Sequence, residues 1–64
     1  MTGKVRIIED FDTTMGHMLL VDNDRSFQVG QTIETEQALY LIRGIHPHRD
    51  PEQHKVALRV DKVQ

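Results

Sequence analysis

Lys55-Val56-Ala57-Leu58-Arg59-Val60-Asp61 has the clearest periodicity in this 64-residue sequence. Val56, Leu58 and Val60 are apolar and alternate with mostly charged residues. Because successive side chains of a strand point to opposite faces of a sheet, this two-residue period predicts a half-buried β-strand. Residues 56–63 are also the candidate sheet edge, since they form the last strand and carry the lysine and arginine that proteins place on edge strands.

Four earlier segments are also predicted to be strands. They are residues 5–11, 17–21, 27–33 and 39–45. The first and third of these segments each place several apolar residues in one phase of the two-residue period. Phe11 and Phe27 lie in phase with their apolar neighbours, so both are predicted to belong to the core.

Turn-forming residues separate these segments. Asp12–Gly16 and Asp22–Asp24 contain the Asp, Asn and Gly that favour turns, and Gly30 indicates a bulge or turn. His46–Gln53 is a longer loop with both prolines. The pattern predicts a mainly β fold over residues 1–64, a single domain with a small five- to six-stranded antiparallel barrel or bent sheet of the SH3-like type.

The alternative is an α+β domain with one or two short helices, near residues 36–43 and 51–63. Apolar residues around the first segment have helical spacing, with Thr35 as a cap. Asp50-Pro51-Glu52-Gln53 has the form of a helix start. We prefer strands at both places, because β-branched and aromatic residues are frequent there and Leu58 would lie off the apolar face of the second helix.

Two segments resemble parts of known small barrels. Arg25-Ser26-Phe27-Gln28-Val29-Gly30-Gln31-Thr32-Ile33 resembles a turn in the second-domain β-barrel of translational GTPases. Tyr40–Ile45 together with Val56–Val60 is similar to the closing hairpin of SH3-like barrels. The resemblance covers about half of the chain and implies a barrel-like fold class. The sequence has Gln31 where that family usually has Asp, and it contains no GTPase motif, so no functional residue is carried over.

Composition predicts an ordinary globular domain, with 38% hydrophobic and 28% charged residues. The chain has no cysteine, which excludes disulfides and thiolate metal sites and makes the cytoplasm the expected location. No signal peptide or membrane helix is expected, since the longest apolar run is Met18–Val21. A small phage or bacterial accessory protein would fit these features.

Charge is unevenly distributed along the sequence, although the net charge is only −2. Residues 9–36 contain seven acids and one base, which gives −6, whereas residues 43–62 contain five bases and three acids, which gives +2. Such asymmetry can steer association with a partner, including a second copy of the chain.

His46–His54 is the most distinctive segment, because three imidazoles and two carboxylates lie within nine residues. Imidazole nitrogens are preferred ligands of zinc and nickel, so His46, His48 and His54 are the candidate metal ligands. No fixed ligand spacing is met, however, and an exposed polar loop is the preferred interpretation. We therefore predict no metal and no cofactor.

Catalytic signatures are also missing from the sequence. Ser26 is the only serine and has no nucleophile motif around it, and no glycine-rich phosphate loop is present. We expect a non-catalytic domain, since active sites need convergent groups on a rigid scaffold.

The function we predict is that of a protein-interaction or adaptor module, with self-association to a dimer as one form of it. Extra buried surface would help so small a chain. The alternative is a nucleic-acid-binding barrel that uses the basic region 43–62, with Tyr40 as the exposed stacking aromatic. We expect no membrane or small-molecule partner. The candidate interaction residues are Tyr40, Arg43, His46, His48, Arg49, Lys55 and Arg59.

Overall fold

The computed structural model describes residues 3–47 and 53–63, which form one five-stranded sheet. The strands are β1 (Ile7–Thr13), β2 (Gly16–Asp22), β3 (Thr32–Glu34), β4 (Leu39–Pro47) and β5 (Lys55–Lys62). The predicted mainly β fold is confirmed. The helical alternatives near 36–43 and 51–63 are wrong within the described residues, which form β4 and β5 there. None of the described residues belongs to a helix long and apolar enough to cross a membrane.

The strand order in the sheet is β1-β2-β5-β4-β3, and all neighbouring strands are antiparallel. After the β1–β2 hairpin the chain therefore crosses to the far side of the sheet, forms β3, and returns strand by strand until β5 pairs with β2. The prediction that residues 56–63 form an edge is wrong, because β5 is the central strand. The two edges are β1 and β3.

The sheet bends until its two edges meet at one point. Val5, just before β1, forms a parallel bridge with Thr35, just after β3, and the Val5 amide donates to the Glu34 carbonyl at 2.8 Å. No continuous ladder joins β1 to β3 among the described residues, so the structure is a bent sheet. Its inner face, which carries Leu19, Ile42 and Leu58, encloses the core.

The inward-facing side chains that alternate along β2, β4 and β5 build most of this core. The buried apolar residues come from every strand except β1 and from the segment that precedes it; they are Val5, Leu19, Val21, Ile33, Tyr40, Ile42, Val56, Leu58 and Val60. Phe27 is partly buried and packs against this cluster, as the sequence predicts. Phe11 is 37% exposed, so the prediction that it lies in the core is wrong.

Of the predicted strand 27–33, only Thr32 and Ile33 lie in a strand, the three-residue β3. The amide of Gln31 donates to the Gln28 carbonyl at 3.1 Å, which closes a turn around Gly30. Gly30 has a φ of 92°, a left-handed conformation that glycine adopts without steric cost. The amide of Gly30 then donates to the Ile42 carbonyl of β4 at 2.9 Å. The segment before β3 is therefore anchored to the sheet as a turn.

Candidate functional site

Edge strand β1 is the most open part of the sheet. It is seven residues long, and none of its residues is fully buried. Only the two residues Thr14 and Met15 separate its last residue, Thr13, from Gly16 of β2. In a two-residue hairpin the closing pair Thr13–Gly16 must be a hydrogen-bonded pair. A non-hydrogen-bonded pair at this position would require a backbone hydrogen bond between Thr14 and Met15, which are adjacent in the chain and cannot form one. This pair fixes the backbone orientation of the strand.

Hydrogen-bonded and non-hydrogen-bonded pairs alternate along an antiparallel ladder. The register is unbroken from Glu9 to Thr13, so Glu9, Phe11 and Thr13 direct their backbone groups toward β2. Asp10 and Asp12 direct their backbone N–H and C=O groups away from β2. No strand of the described residues pairs with that side of β1.

Side chains of β1 divide between the two faces of the sheet. Asp10 and Asp12 share the inner face with their β2 partners Leu19 and His17, although both aspartates remain exposed. His17 Nδ1 lies 2.8 Å from Asp12 Oδ1 in an exposed pair. The three acids of β1 are otherwise open to solvent.

Phe11 begins a row of side chains across the outer face, the face opposite the core. The row runs from Phe11 to Met18, then to Arg59 and finally to Gly44 on β4. Met18 is only 6% exposed although it does not belong to the core cluster. Phe11 and Met18 are cross-strand neighbours on this face, and Phe11, unlike Met18, is exposed beside the open edge.

Gly44 has no side chain, and this leaves room for the Arg59 side chain to cross β4. A Cβ placed on Gly44 would lie 3.3 Å from Arg59 Nε and 3.3 Å from His46 Nε2. Arg59 Nη2 donates to the Arg43 carbonyl at 3.3 Å. Arg59 Nε and His46 Nε2 are buried and have no hydrogen-bond partner among the described residues. The Arg59 guanidinium is therefore packed against β4, with its Nε atom buried.

The described members of the predicted interaction set do not all lie together. His46, Lys55 and Arg59 share the outer face, whereas Tyr40 lies on the inner face. Tyr40 is only 6% exposed and belongs to the core, so the prediction of an exposed stacking platform is wrong. Its ring stacks on His17 at 6.0 Å between centroids. Arg43 Nε lies 3.5 Å from Asp61 Oδ2, and Lys55 Nζ donates to Gln53 Oε1 at 3.2 Å.

The two candidate metal ligands among the described residues, His46 and His54, lie in different parts of the fold. His46 lies beside Gly44 on the outer face, whereas His54 precedes β5. His48 and Arg49 lie outside the described residues. Within residues 3–47 and 53–63 there is no group of three histidine or carboxylate side chains placed to hold a metal ion.

His54 lines a cleft of about 420 Å³ at the end of the sheet where the chain leaves β2. The residue has a φ of 52°, and its carbonyl accepts a hydrogen bond from the Asn23 amide at 2.8 Å. Arg25 and Lys55 also line the cleft, with Ile45 and Val56 on its apolar side. The cleft is open and carries positive charge, in contrast to the acidic edge at β1.

Sequence reasoning did not identify β1 as an edge strand. It identified only the acids of residues 9–36 and the hairpin turn. The available signal was the three acids at residues 9, 10 and 12, since charged side chains are common on edge strands.

Comparison of the chain with protein-family models, with curated proteins and with solved structures finds no match. Function is therefore inferred from the strands, side chains and charges described above.

Proposed function

We propose that this chain is a non-catalytic protein-interaction domain that binds an extended segment of another protein along the open edge of β1. The observation that carries the proposal is the outward direction of the Asp10 and Asp12 backbone groups. Proteins that bind peptides by strand addition use such unpaired N–H and C=O groups for affinity and alternate side chains for specificity.

β1 is better suited to strand addition than the other edge. With seven residues it extends over roughly 23 Å, at about 3.3 Å per residue. β3 has only three residues, and the bridge between Val5 and Thr35 already occupies the backbone at its end. Phe11 adds an exposed aromatic ring next to the open backbone of β1, which gives an incoming segment apolar surface to cover.

The proposal is tested by amide hydrogen exchange with short peptides as probes. We would titrate the ¹⁵N-labelled chain with three capped octapeptides. One has the core Lys-Val-Lys-Lys flanked by two threonines on each side, and in the others glutamine or glutamate replaces each lysine. In the free chain, exchange should be fast at Asp10 and Asp12 and slow at Phe11. Binding of any of the peptides should slow exchange at Asp10 and Asp12.

Asp12→Pro provides the matched variant, because it removes one outward N–H and leaves the bonds to β2 in place. Asp12→Ala removes the same side chain but keeps the N–H, so binding should survive in Asp12→Ala and be lost in Asp12→Pro. Circular dichroism and the melting temperature would verify that both variants fold. Strand addition is refuted if no peptide protects the two amides, or if single-stranded DNA or RNA binds and perturbs β4 and β5 instead.

A further inference from the structure

We infer that the segment accepted by β1 is basic and comes from a different protein, with positively charged residues on both sides of one apolar residue. The inference rests on the proposed function and deepens it by naming the partner's chemistry. It follows from which side chains of β1 would lie opposite those of an added strand.

Residues directly opposite each other in a sheet lie on the same face, with Cβ atoms about 4.5–5.5 Å apart. An added strand would therefore place one side chain beside each of Asp10 and Asp12 on the inner face. The two aspartates are exposed. Among residues 3–47 and 53–63, the only cationic or protonatable side chain paired with either is His17, which contacts Asp12. Lysine or arginine at these two positions of the partner would form favourable cross-strand pairs.

The side chains of β1 on the outer face determine which residue types fit at the other positions of the partner segment. The residue opposite Phe11 would lie beside its exposed ring, so an apolar side chain fits there. The residue opposite Glu9 shares this face and would again be basic. Read along an antiparallel partner from the residue opposite Asp12, the pattern is basic, apolar, basic, basic.

A second copy of this chain does not satisfy the pattern. Two β1 strands that pair through their outward backbone groups have three central registers: Asp10 opposite Asp10, Asp10 opposite Asp12, or Asp12 opposite Asp12. Each register places carboxylates directly opposite each other, which destabilises the pairing. β3, the other edge, reads Thr-Ile-Glu and also lacks a base. No edge of the described sheet therefore supplies the partner that β1 requires.

The experiment compares the three octapeptides defined above at low and high salt. We expect the lysine peptide to bind about tenfold more tightly than the glutamine peptide, if each of three exposed charge pairs contributes about 0.5 kcal/mol. The difference should shrink in 0.5 M salt, which screens exposed charges. The glutamate peptide should bind more weakly than the other two.

Two charge variants make the test specific. The double variant Asp10→Lys with Asp12→Lys should lose the preference for the lysine peptide and prefer the glutamate peptide. Asp24→Lys with Asp61→Lys changes the net charge equally at exposed positions away from β1, and it should keep the wild-type preference for the lysine peptide.

The outcomes separate the inference from the proposed function. If all three peptides protect the Asp10 and Asp12 amides equally, the basic partner is refuted and strand addition stands. Protection by none of them refutes both. A wild-type dimer in sedimentation that dissociates in Asp12→Pro would overturn the inference by showing that a second copy occupies β1.

Discussion

Replacing Thr35 by valine should destabilise the fold at the point where the two edges of the sheet meet. Thr35 is a buried polar residue, and its hydroxyl makes three hydrogen bonds. Thr35 Oγ1 accepts from the amides of Ala38 at 3.0 Å and Gln37 at 3.2 Å, and it donates to the Ala38 carbonyl at 2.8 Å. Valine has the same shape but cannot accept a hydrogen bond, so both amides would lose their acceptor.

The expected loss follows from the burial of these groups. An unsatisfied buried donor costs about 1–3 kcal/mol. The Ala38 carbonyl keeps the Thr35 amide as a donor at 3.0 Å, and the exposed Gln37 amide can turn to water, so most of the cost comes from the Ala38 amide. We expect about 2 kcal/mol of lost unfolding free energy, or a decrease of roughly 10 °C in melting temperature for a domain of this size. Urea denaturation followed by circular dichroism would measure the free energy.

Thr35→Ser is the matched control for this substitution. Serine keeps the hydroxyl and removes one methyl group, which should cost about 1 kcal/mol. Amide exchange at Ala38 should accelerate in Thr35→Val and stay close to wild type in Thr35→Ser. A valine variant as stable as wild type, or more stable than the serine variant, would refute the role given to these hydrogen bonds.

Three further predictions concern the core, a turn and the edge. Leu58→Ala should cost about 2–5 kcal/mol of unfolding free energy in urea, since Leu58 is fully buried, and Leu58→Met should cost less than about 1.5 kcal/mol. Gly30→Ala should lose about 1 kcal/mol to left-handed backbone strain, while Gly3→Ala, equally uncrowded, should change stability by less than about 0.5 kcal/mol. Threonine at both Asp10 and Asp12 should increase self-association in sedimentation, and an unchanged monomer would contradict the charge argument.

Alternation predicted the central strands well because their environment is regular. Val56, Leu58 and Val60 are buried on the inner face, and the intervening residues of β5 are partly covered by neighbouring strands on both sides. The apolar run at β2 and the β-branched and aromatic residues of β4 predicted these two strands, with small errors at their ends. Strands with two neighbours bury one face completely, so the sequence pattern there reports burial directly.

The two-residue period is less informative where a turn or a bulge within a segment changes which side chains face the core. Val29 and Phe27 have the same phase as Ile33, but Gly30 turns the chain between them. Val29 is therefore exposed, Phe27 packs only partly against the core, and Ile33 alone of the three lies in a strand. Phe11 matches the apolar phase of Ile7 before it, but a bulge between Ile7 and Glu9 shifts the register and moves Phe11 to the outer face. A single extra residue reverses the face of every side chain that follows it.

Strand order was the part of the candidate site that hydrophobic alternation could not supply. The chain crosses the sheet between β2 and β3, so its last strand lies in the middle and its first strand at an edge. Lys55 and Arg59 therefore lie on a strand that has a neighbour on each side. Other features must protect the two edges of the sheet against pairing with further strands. At β3 that protection comes from shortness and from the bridge to Val5. At β1 it comes from acids, which oppose pairing with an identical strand and favour pairing with a basic one. The same carboxylates thus link the proposed resistance of β1 to pairing with itself to its proposed choice of partner.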